Sequence, residues 1–208
     1  MAHNKFGDYI AASHAALTAE GDNRVLMVKV CKDMMTNVLK KGFKLPQMYC
    51  SAHHYGKLSD ITDIVSLLDL LKFRETILFK KLVADTKNLG KAGVSGYNIL
   101  MRETSDAMQD LAQAYGERQT LEYCMLVLST KIHNTANKDI MSKVFRLFAA
   151  DCINRDLSFY MMHGVVSQAA AGNLTPTRHT LIKNVAAKAS DILDCMSIPK
   201  HALYVPIA

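Results

Sequence analysis

Residues 18–30 read Thr-Ala-Glu-Gly-Asp-Asn-Arg-Val-Leu-Met-Val-Lys-Val, a polar turn followed at once by an apolar run. Asp22 and Asn23 are good capping residues, because their side-chain oxygens accept hydrogen bonds from the free N–H groups of a first helical turn. Glu20 therefore stands at a helix entrance, where the positive end of the helix dipole favours a carboxylate. Gly21 leaves room beside it for a flat ligand or a substrate backbone. Ordinary first-turn acids have the same spacing, so the pattern alone leaves the function of this turn open.

The rest of the chain also has a helical pattern. Apolar residues recur at helical spacing, and no stretch shows the sustained alternation of a half-buried strand. Five helices are predicted, over 23–41, 60–84, 98–131, 139–171 and 176–198. The fourth should end at Gly172-Asn173, and the fifth should begin with Thr175 as N-cap and Pro176 as first helical residue. The predicted fold class is all-α: the end of one helical bundle followed by a second C-terminal helical bundle.

The best candidate for a domain boundary is the segment from Asn88 to Gly96, in which three glycines fall within seven residues. These glycines follow a helix, and no Gly-Lys-Ser or Gly-Lys-Thr is present, so the nucleotide-binding loops do not fit. We interpret the segment as a flexible linker. It divides the chain into residues 1–90, which carry the Glu-Gly-Asp-Asn turn, and residues 91–208.

Composition excludes several classes of protein. Half of the 208 residues are apolar and 21% are charged, which is typical of a folded domain with a sizeable core. The net charge of +6 is spread along the chain without a clustered basic stripe, so we expect no nucleic-acid partner. No apolar run has the length that a bilayer requires, and the start of the chain lacks a signal-peptide pattern. The sequence therefore predicts a soluble intracellular protein without a membrane span.

The five cysteines are scattered, mostly within apolar helical patterns, which favours reduced core thiols over a disulfide framework. Cys50, His53 and His54 have the residue types of a zinc site. A second Cys/His pair at comparable spacing is missing, so packing of a loop is the favoured interpretation and no metal site is predicted.

Glu117, Arg118 and Glu122 resemble an acid/base set in residue type. They fall in the middle of a predicted helix, where such charges usually form exposed or interhelical ion pairs. A structural role is therefore favoured over catalysis.

The Glu-Gly-Asp-Asn stretch at Glu20–Asn23 resembles a signature of the acyl-CoA oxidases, flavoenzymes related to the acyl-CoA dehydrogenases. Three further stretches resemble parts of the same family: Met1–Phe6, Leu111–Arg118 and the ending Ile198–Ala208. The resemblance covers nearly the whole chain, but it covers only the C-terminal part of the family. Because Met1 coincides with an internal methionine of the family pattern, we expect the sequence to be a fragment or a truncated gene model.

The resemblance implies an FAD-dependent oxidation of fatty acyl-CoA to trans-2-enoyl-CoA, with formation of hydrogen peroxide, in fatty acid β-oxidation. In this interpretation Glu20 is the catalytic base, and Gly21, Asp22 and Asn23 are cofactor-binding residues. The implied partners are the fatty acyl-CoA substrate and either a second copy of the chain or the missing upstream domains. Without those domains the isolated chain is expected to be inactive.

The resemblance also implies a location, the peroxisome in a eukaryote and otherwise the cytoplasm. The ending Pro206-Ile207-Ala208 is not a Ser-Lys-Leu-type signal. Two alternatives stay open at this stage. In the first, the chain is a piece of an acyl-CoA dehydrogenase, which passes electrons to a protein acceptor. In the second, it is a non-catalytic helical dimerisation module.

Overall fold

A computed structural model describes residues 6–19, 23–46 and 63–195, and within these ranges the chain is helical and contains no strand. The helices are α1 (Phe6–Ala19), α2 (Asn23–Leu39), α3 (Ile64–Lys91), α4 (Gly96–Asn98), α5 (Ser105–Thr130), α6 (Thr135–Arg155), α7 (Leu157–Met162), α8 (Gln168–Ala186) and α9 (Ala189–Cys195), with a π-helical turn at Ile99–Glu103 before α5. The predicted all-α fold class is confirmed.

Helices α3 and α5 form the centre of the molecule. The N-terminal half of α3 packs with the C-terminal half of α5, and the C-terminal half of α3 packs with the start of α5, so the two helices run antiparallel. Asp63 begins α3, because its carboxylate accepts a hydrogen bond from the N–H of Ser66 at 3.2 Å. The predicted start of this helix at Asp60 lies outside the described residues.

The larger of two apolar cores surrounds the first half of α3. Leu67, Leu70 and Leu71 pack there against Leu121 of α5, against α6 and against α8. The 0–1% exposure of these leucines shows a dry interior, in which each buried side chain contributes on the order of 1.5–3 kcal/mol. This core fixes α6 and α8 to the central helix pair.

A second core attaches α2 to the other end of α3 and α5. Cys31 and Met34 of α2 meet Phe79 and Leu82 of α3, together with Met108 of α5. Helix α2 ends at Leu39, two residues before its predicted end, and the chain then turns through Gly42, whose φ of +70° is favourable for glycine.

The predicted linker, from Asn88 to Gly96, is reduced to the four residues Ala92–Ser95 between α3 and α4. Helix α3 continues through Gly90 to Lys91, and the chain reverses over Ala92–Ser95, where Gly93 has a φ of +81°. The Ser95 hydroxyl then accepts a bond from the Asn98 N–H at 3.3 Å and begins α4. Both cores draw on α3 and α5, which lie on opposite sides of this turn. The division at residues 90 and 91 stays a prediction.

The predicted fourth helix, over 139–171, is wrong in its second half. Helix α6 ends at Arg155, and the short helix α7 is followed by a turn in which Gly164 has a φ of +66°. The next helix begins after Ser167, whose hydroxyl accepts a hydrogen bond from the Ala170 N–H at 3.2 Å. The local cap at Ser167 thus outweighs the continuous apolar periodicity.

The predicted boundary between the fourth and fifth helices is also wrong. Gly172, Asn173, Thr175 and Pro176 all lie inside α8. Burial of Ala170 and Leu174 in the larger core keeps the helix continuous through them, since tertiary packing outweighs weak helix propensity. The predicted fifth helix is further divided, because α8 ends at Ala186 and α9 begins at Ala189.

Candidate functional site

The predicted catalytic turn connects two helices. Helix α1 ends at Ala19 and α2 begins at Asn23, which is the helix start that the sequence predicts. Asn23 is exposed, whereas Glu20, Gly21 and Asp22 lie outside the described residues. The roles of Glu20 as base and of the next three residues in cofactor binding therefore remain predictions.

Apolar side chains stand exposed on both helices that adjoin this turn. Val25 and Leu26, in the first turn of α2, are 65% and 50% exposed, and Tyr9 and Ile10 of α1 are 47% and 59% exposed. All seven α1 side chains from residue 9 to residue 15 are exposed, although they span about two helical turns. The described part of this chain thus leaves apolar side chains uncovered on both helices.

Helix α2 is held firmly from its middle onward. The thiol of Cys31 is fully buried and donates a hydrogen bond to the Met108 carbonyl of α5 at 2.7 Å. Burial raises the pKa of this thiol from 9.0 to about 12, which keeps it protonated and unreactive at neutral pH. The contact therefore anchors the helix that follows the candidate turn.

Glu117 and Arg118 form interhelical ion pairs, one of the two arrangements that the sequence predicts, and the network they belong to is buried. Arg118 donates to both carboxylate oxygens of Glu75 on α3, from Nε at 2.6 Å and from Nη2 at 3.0 Å. Its Nη1 donates to Glu122 at 2.7 Å. Burial alone would lower the pKa of the Arg118 guanidinium, but hydrogen bonds and charges from Glu75 and Glu122 raise it above its ordinary value.

Glu117 joins three helices. Its carboxylate accepts from Nη1 of Arg74 on α3 at 2.8 Å, from Nη1 of Arg155 at the end of α6 at 2.8 Å, and from the side-chain amide of Gln113. With both oxygens engaged by fixed donors, Glu117 has no position from which to remove a proton from a substrate. The structural interpretation of this group is confirmed.

Sequence reasoning missed Arg74 and Glu75, the partners of this network on α3, as well as Gln113 and Arg155. Arg74 and Glu75 lie between Phe73 and Phe79 on α3, two residues of the apolar cores. The sequence does contain a signal for them: Arg74-Glu75 is an adjacent pair of opposite charges within a largely apolar helix. Its order, basic then acidic, is the reverse of Glu117-Arg118. Charges almost never occupy such positions unless they are paired.

Two cavities lie elsewhere on the surface. One of about 550 Å³ is lined by residues from the ends of α5, α6 and α9, and one of about 420 Å³ lies over Arg118 and the end of α2. Neither is lined by Asn23 or by a residue of α1. The sequence-predicted turn and the cavities of the described chain are therefore separate features.

The described residues contain no group of three or more His, Cys, Asp or Glu side chains suited to a metal ion. Cys50, His53 and His54 lie outside the described residues. Of the four described free thiols, Cys31 and Cys152 are buried, as predicted for core thiols, whereas Cys124 is half-buried and Cys195 is exposed. In the described part of the chain no helix combines the length and apolarity required to cross a membrane.

The described residues thus form a helical bundle, and the predicted catalytic residue Glu20 falls between α1 and α2 in the sequence. The family model described as acyl-CoA oxidase matches residues 63–208, most of the chain, and the chain belongs to that family. A search of curated protein sequences found no match.

Two crystal structures of acyl-CoA oxidases from Yarrowia lipolytica have the same fold. Acyl-CoA oxidase 3 is 18% identical over 99% of this chain, with a TM-score of 0.83. Acyl-CoA oxidase 1 is 15% identical over 100% of this chain, with a TM-score of 0.82. In each case the match covers 31% of the solved chain, so this sequence spans about a third of the length of those proteins.

Proposed function

We propose that this chain forms the C-terminal helical part of an FAD-dependent acyl-CoA oxidase that converts fatty acyl-CoA to trans-2-enoyl-CoA. The observation that carries the proposal is the match of residues 63–208 to the acyl-CoA oxidase family. The shared fold over the whole chain supports it, and the family match supports oxidase chemistry over the dehydrogenase alternative. The remaining two-thirds of such a protein would supply the rest of the site.

The residues around the turn suit a flavin. Asn23 offers an exposed amide, and Val25 and Leu26 offer exposed apolar surface in the same first turn of α2. A flat aromatic ring system with polar edges needs both kinds of contact. When bound, FAD accepts the hydride from the substrate Cβ, and its reoxidation by oxygen gives hydrogen peroxide.

In this proposal the Glu20 carboxylate removes the Cα proton of the acyl chain. The proton is weakly acidic, so the base must be held close to it and the thioester carbonyl must be polarised by hydrogen bonds. Enclosure among apolar groups would raise the pKa of the carboxyl toward a range useful for a base. Asp22 and Asn23 would hold the cofactor side of the turn, with Gly21 allowing a close approach.

The test begins with the transcript upstream of the Met1 codon. If the reading frame continues, the intact product is assayed for acyl-CoA-dependent peroxide formation with Glu20→Gln. Loss of kcat by about 10²-fold or more, with FAD content unchanged, is expected for removal of a general base. Glu103→Gln, at an exposed acid of the π-helical turn, is the matched control and should leave kcat unchanged. Normal turnover by Glu20→Gln would refute the proposed role.

A second candidate function, helical association without catalysis, is favoured by the exposure of α1. A 14-residue helix whose described side chains all face solvent has little to stabilise it alone. The covering surface would come from upstream domains or from a second copy of the chain. A stop codon in frame immediately before the Met1 codon, together with self-association of the chain and no flavin binding, would favour this function.

We also propose a peroxisomal location if the source is eukaryotic, since the family commonly works there. Fluorescence microscopy of the tagged protein beside a peroxisomal marker tests this. A uniform cytoplasmic signal from the intact product would contradict it.

A further inference from the structure

The 550 Å³ cavity has apolar walls. Ile132, Ile140, Met141 and Ile192 line it, where α9 covers the junction between α5 and α6. Its volume lies within the roughly 300–1,000 Å³ typical of small-molecule sites. Neither Asn23 nor a residue of α1 lines it, so the described residues beside the candidate catalytic turn take no part in it.

The rim of this cavity combines an exposed lysine with the N-terminus of a helix. Lys131, which follows α5, is exposed and forms no ion pair within the described ranges. The rim also holds the N-terminus of the 21-residue helix α6, capped by Asn134, and the dipole of that helix places positive charge there. Asp191 is the one acid of the lining, and Lys188 pairs with it at 3.2 Å.

We propose that this cavity binds a long-chain fatty acid as the free carboxylate. The hydrocarbon chain would lie against Ile140, Met141 and Ile192, and the carboxylate would lie between Lys131 and the start of α6. An apolar pocket with a cationic rim is complementary to an apolar chain with one anionic end. The inference stands on the cavity and not on the oxidase reaction.

Two free cysteines provide the test. Cys195 is exposed and lines the cavity, whereas Cys124 of α5 is half-buried and does not. The purified chain is alkylated with iodoacetamide, with palmitate present below its micellar concentration, and the rate at each cysteine is read by peptide mass spectrometry. Palmitate is expected to slow alkylation of Cys195 saturably and to leave the Cys124 rate unchanged.

Charge-reversal variants locate the carboxylate. Lys131→Glu should weaken the palmitate protection of Cys195 about fivefold, the scale of an exposed ion pair. Lys183→Glu makes the same charge change at an exposed lysine of α8 outside the lining and should leave protection unchanged. Hexadecanol, with the same chain and no charge, should protect Cys195 more weakly than palmitate.

Three results would overturn the proposal: no protection of Cys195, equal protection by hexadecanol, or undiminished protection in Lys131→Glu. None of them bears on the oxidase proposal, which is tested by peroxide formation and by Glu20→Gln.

Discussion

At the scale of single residues, the buried charges of α3 and α5 matter most. Glu75 is 1% exposed and Arg118 is 6% exposed, so both have left water almost completely. A buried charge is tolerable only with a well-oriented partner, and Arg118 supplies two hydrogen bonds to Glu75. The stability of the bundle therefore depends on keeping the pair intact.

We predict that Arg118→Leu lowers the free energy of unfolding by about 3–5 kcal/mol, because it leaves Glu75 buried without its partner. Urea denaturation measures the loss. The double variant Glu75→Leu with Arg118→Leu should lose less than the single one, since no unpaired carboxylate remains at position 75.

The control for this prediction is an exposed ion pair. Lys29 and Asp33 lie 2.7 Å apart on α2, with side chains 71% and 61% exposed. Lys29→Met should change the free energy of unfolding by no more than about 0.5 kcal/mol. A loss in Arg118→Leu as small as this would contradict the importance of the buried pair.

The buried thiols predict a fall in stability in alkali. Burial raises the pKa of Cys31 and that of Cys152 from 9.0 to about 12, with the Glu117 charge as a further cause at Cys152. Below about pH 9 both thiols are protonated in the folded and the unfolded chain, and the stability is fully present. As the pH rises from about 9 toward 12, these two thiols ionise in the unfolded chain but stay protonated in the folded chain. The free energy of unfolding therefore falls by up to about 1.4 kcal/mol per pH unit for each thiol.

Urea denaturation between about pH 8.5 and pH 11 measures this slope. Cys31→Ala should be less stable throughout, but its stability should fall less steeply with pH. An unchanged slope in that variant would show that Cys31 does not hold the raised pKa.

At the scale of elements, helix α8 contains a proline in its interior, which destabilises a helix. Pro176 is exposed within the helix and lacks the N–H that would bond to the preceding turn. We predict that Pro176→Ala raises the free energy of unfolding by about 1–3 kcal/mol, because proline is roughly 3 kcal/mol less favourable than alanine in a helix interior. Thermal denaturation measures the gain.

The companion variant for α8 is Gly172→Ala. Gly172 is also exposed in α8, and an added Cβ meets nothing within 4 Å. Its expected gain is about 0.5–1 kcal/mol, from the lower helix propensity of glycine. Destabilisation by Pro176→Ala would mean that α8 needs a bend at this position.

The element scale also shows what could be predicted from the sequence. The start of α2 was predictable, because a strong capping turn precedes an apolar period. The boundaries near α8 were not, because Pro176 and Gly172 carry local stop signals that burial of Leu174 outweighs. The sequence predicted that Glu117 would form an ion pair, but not with which residue. Its partner Arg74 is set by the packing of α3 against α5, which the local sequence pattern does not encode.

At the scale of the whole molecule, the chain is unevenly packed. Helices α3, α5, α6 and α8 share a dry core, whereas the described side chains of α1 face solvent on every side. The surface that would cover α1 would come from the rest of the protein or from another copy. The residues that would enclose the predicted catalytic turn, between α1 and α2, would likewise come from the rest of the protein or from another copy.

We predict that amide hydrogens of α1 exchange with solvent deuterium far faster than those of α5 in the isolated chain. Opening of α1 should cost little free energy, since none of its described side chains, at residues 9–15, is buried. Hydrogen exchange with mass spectrometry measures both helices in one experiment, and the segment from Leu111 to Leu121 is the internal reference. Protection of α1 equal to that of α5 would reveal a covering partner, which size-exclusion chromatography would then identify as a second copy or exclude.

The order of the buried charges constrains how this protein can change over generations. Arg74-Glu75 on one helix meets Glu117-Arg118 on the other, so reversing the sign of any one of these four charges brings like charges together across a pair. A lineage can cross that barrier only by two matched substitutions or by losing both charges of a pair. Among descendants of this sequence, positions 74 and 117 should therefore vary together, as should 75 and 118, while the leucines around them exchange one at a time.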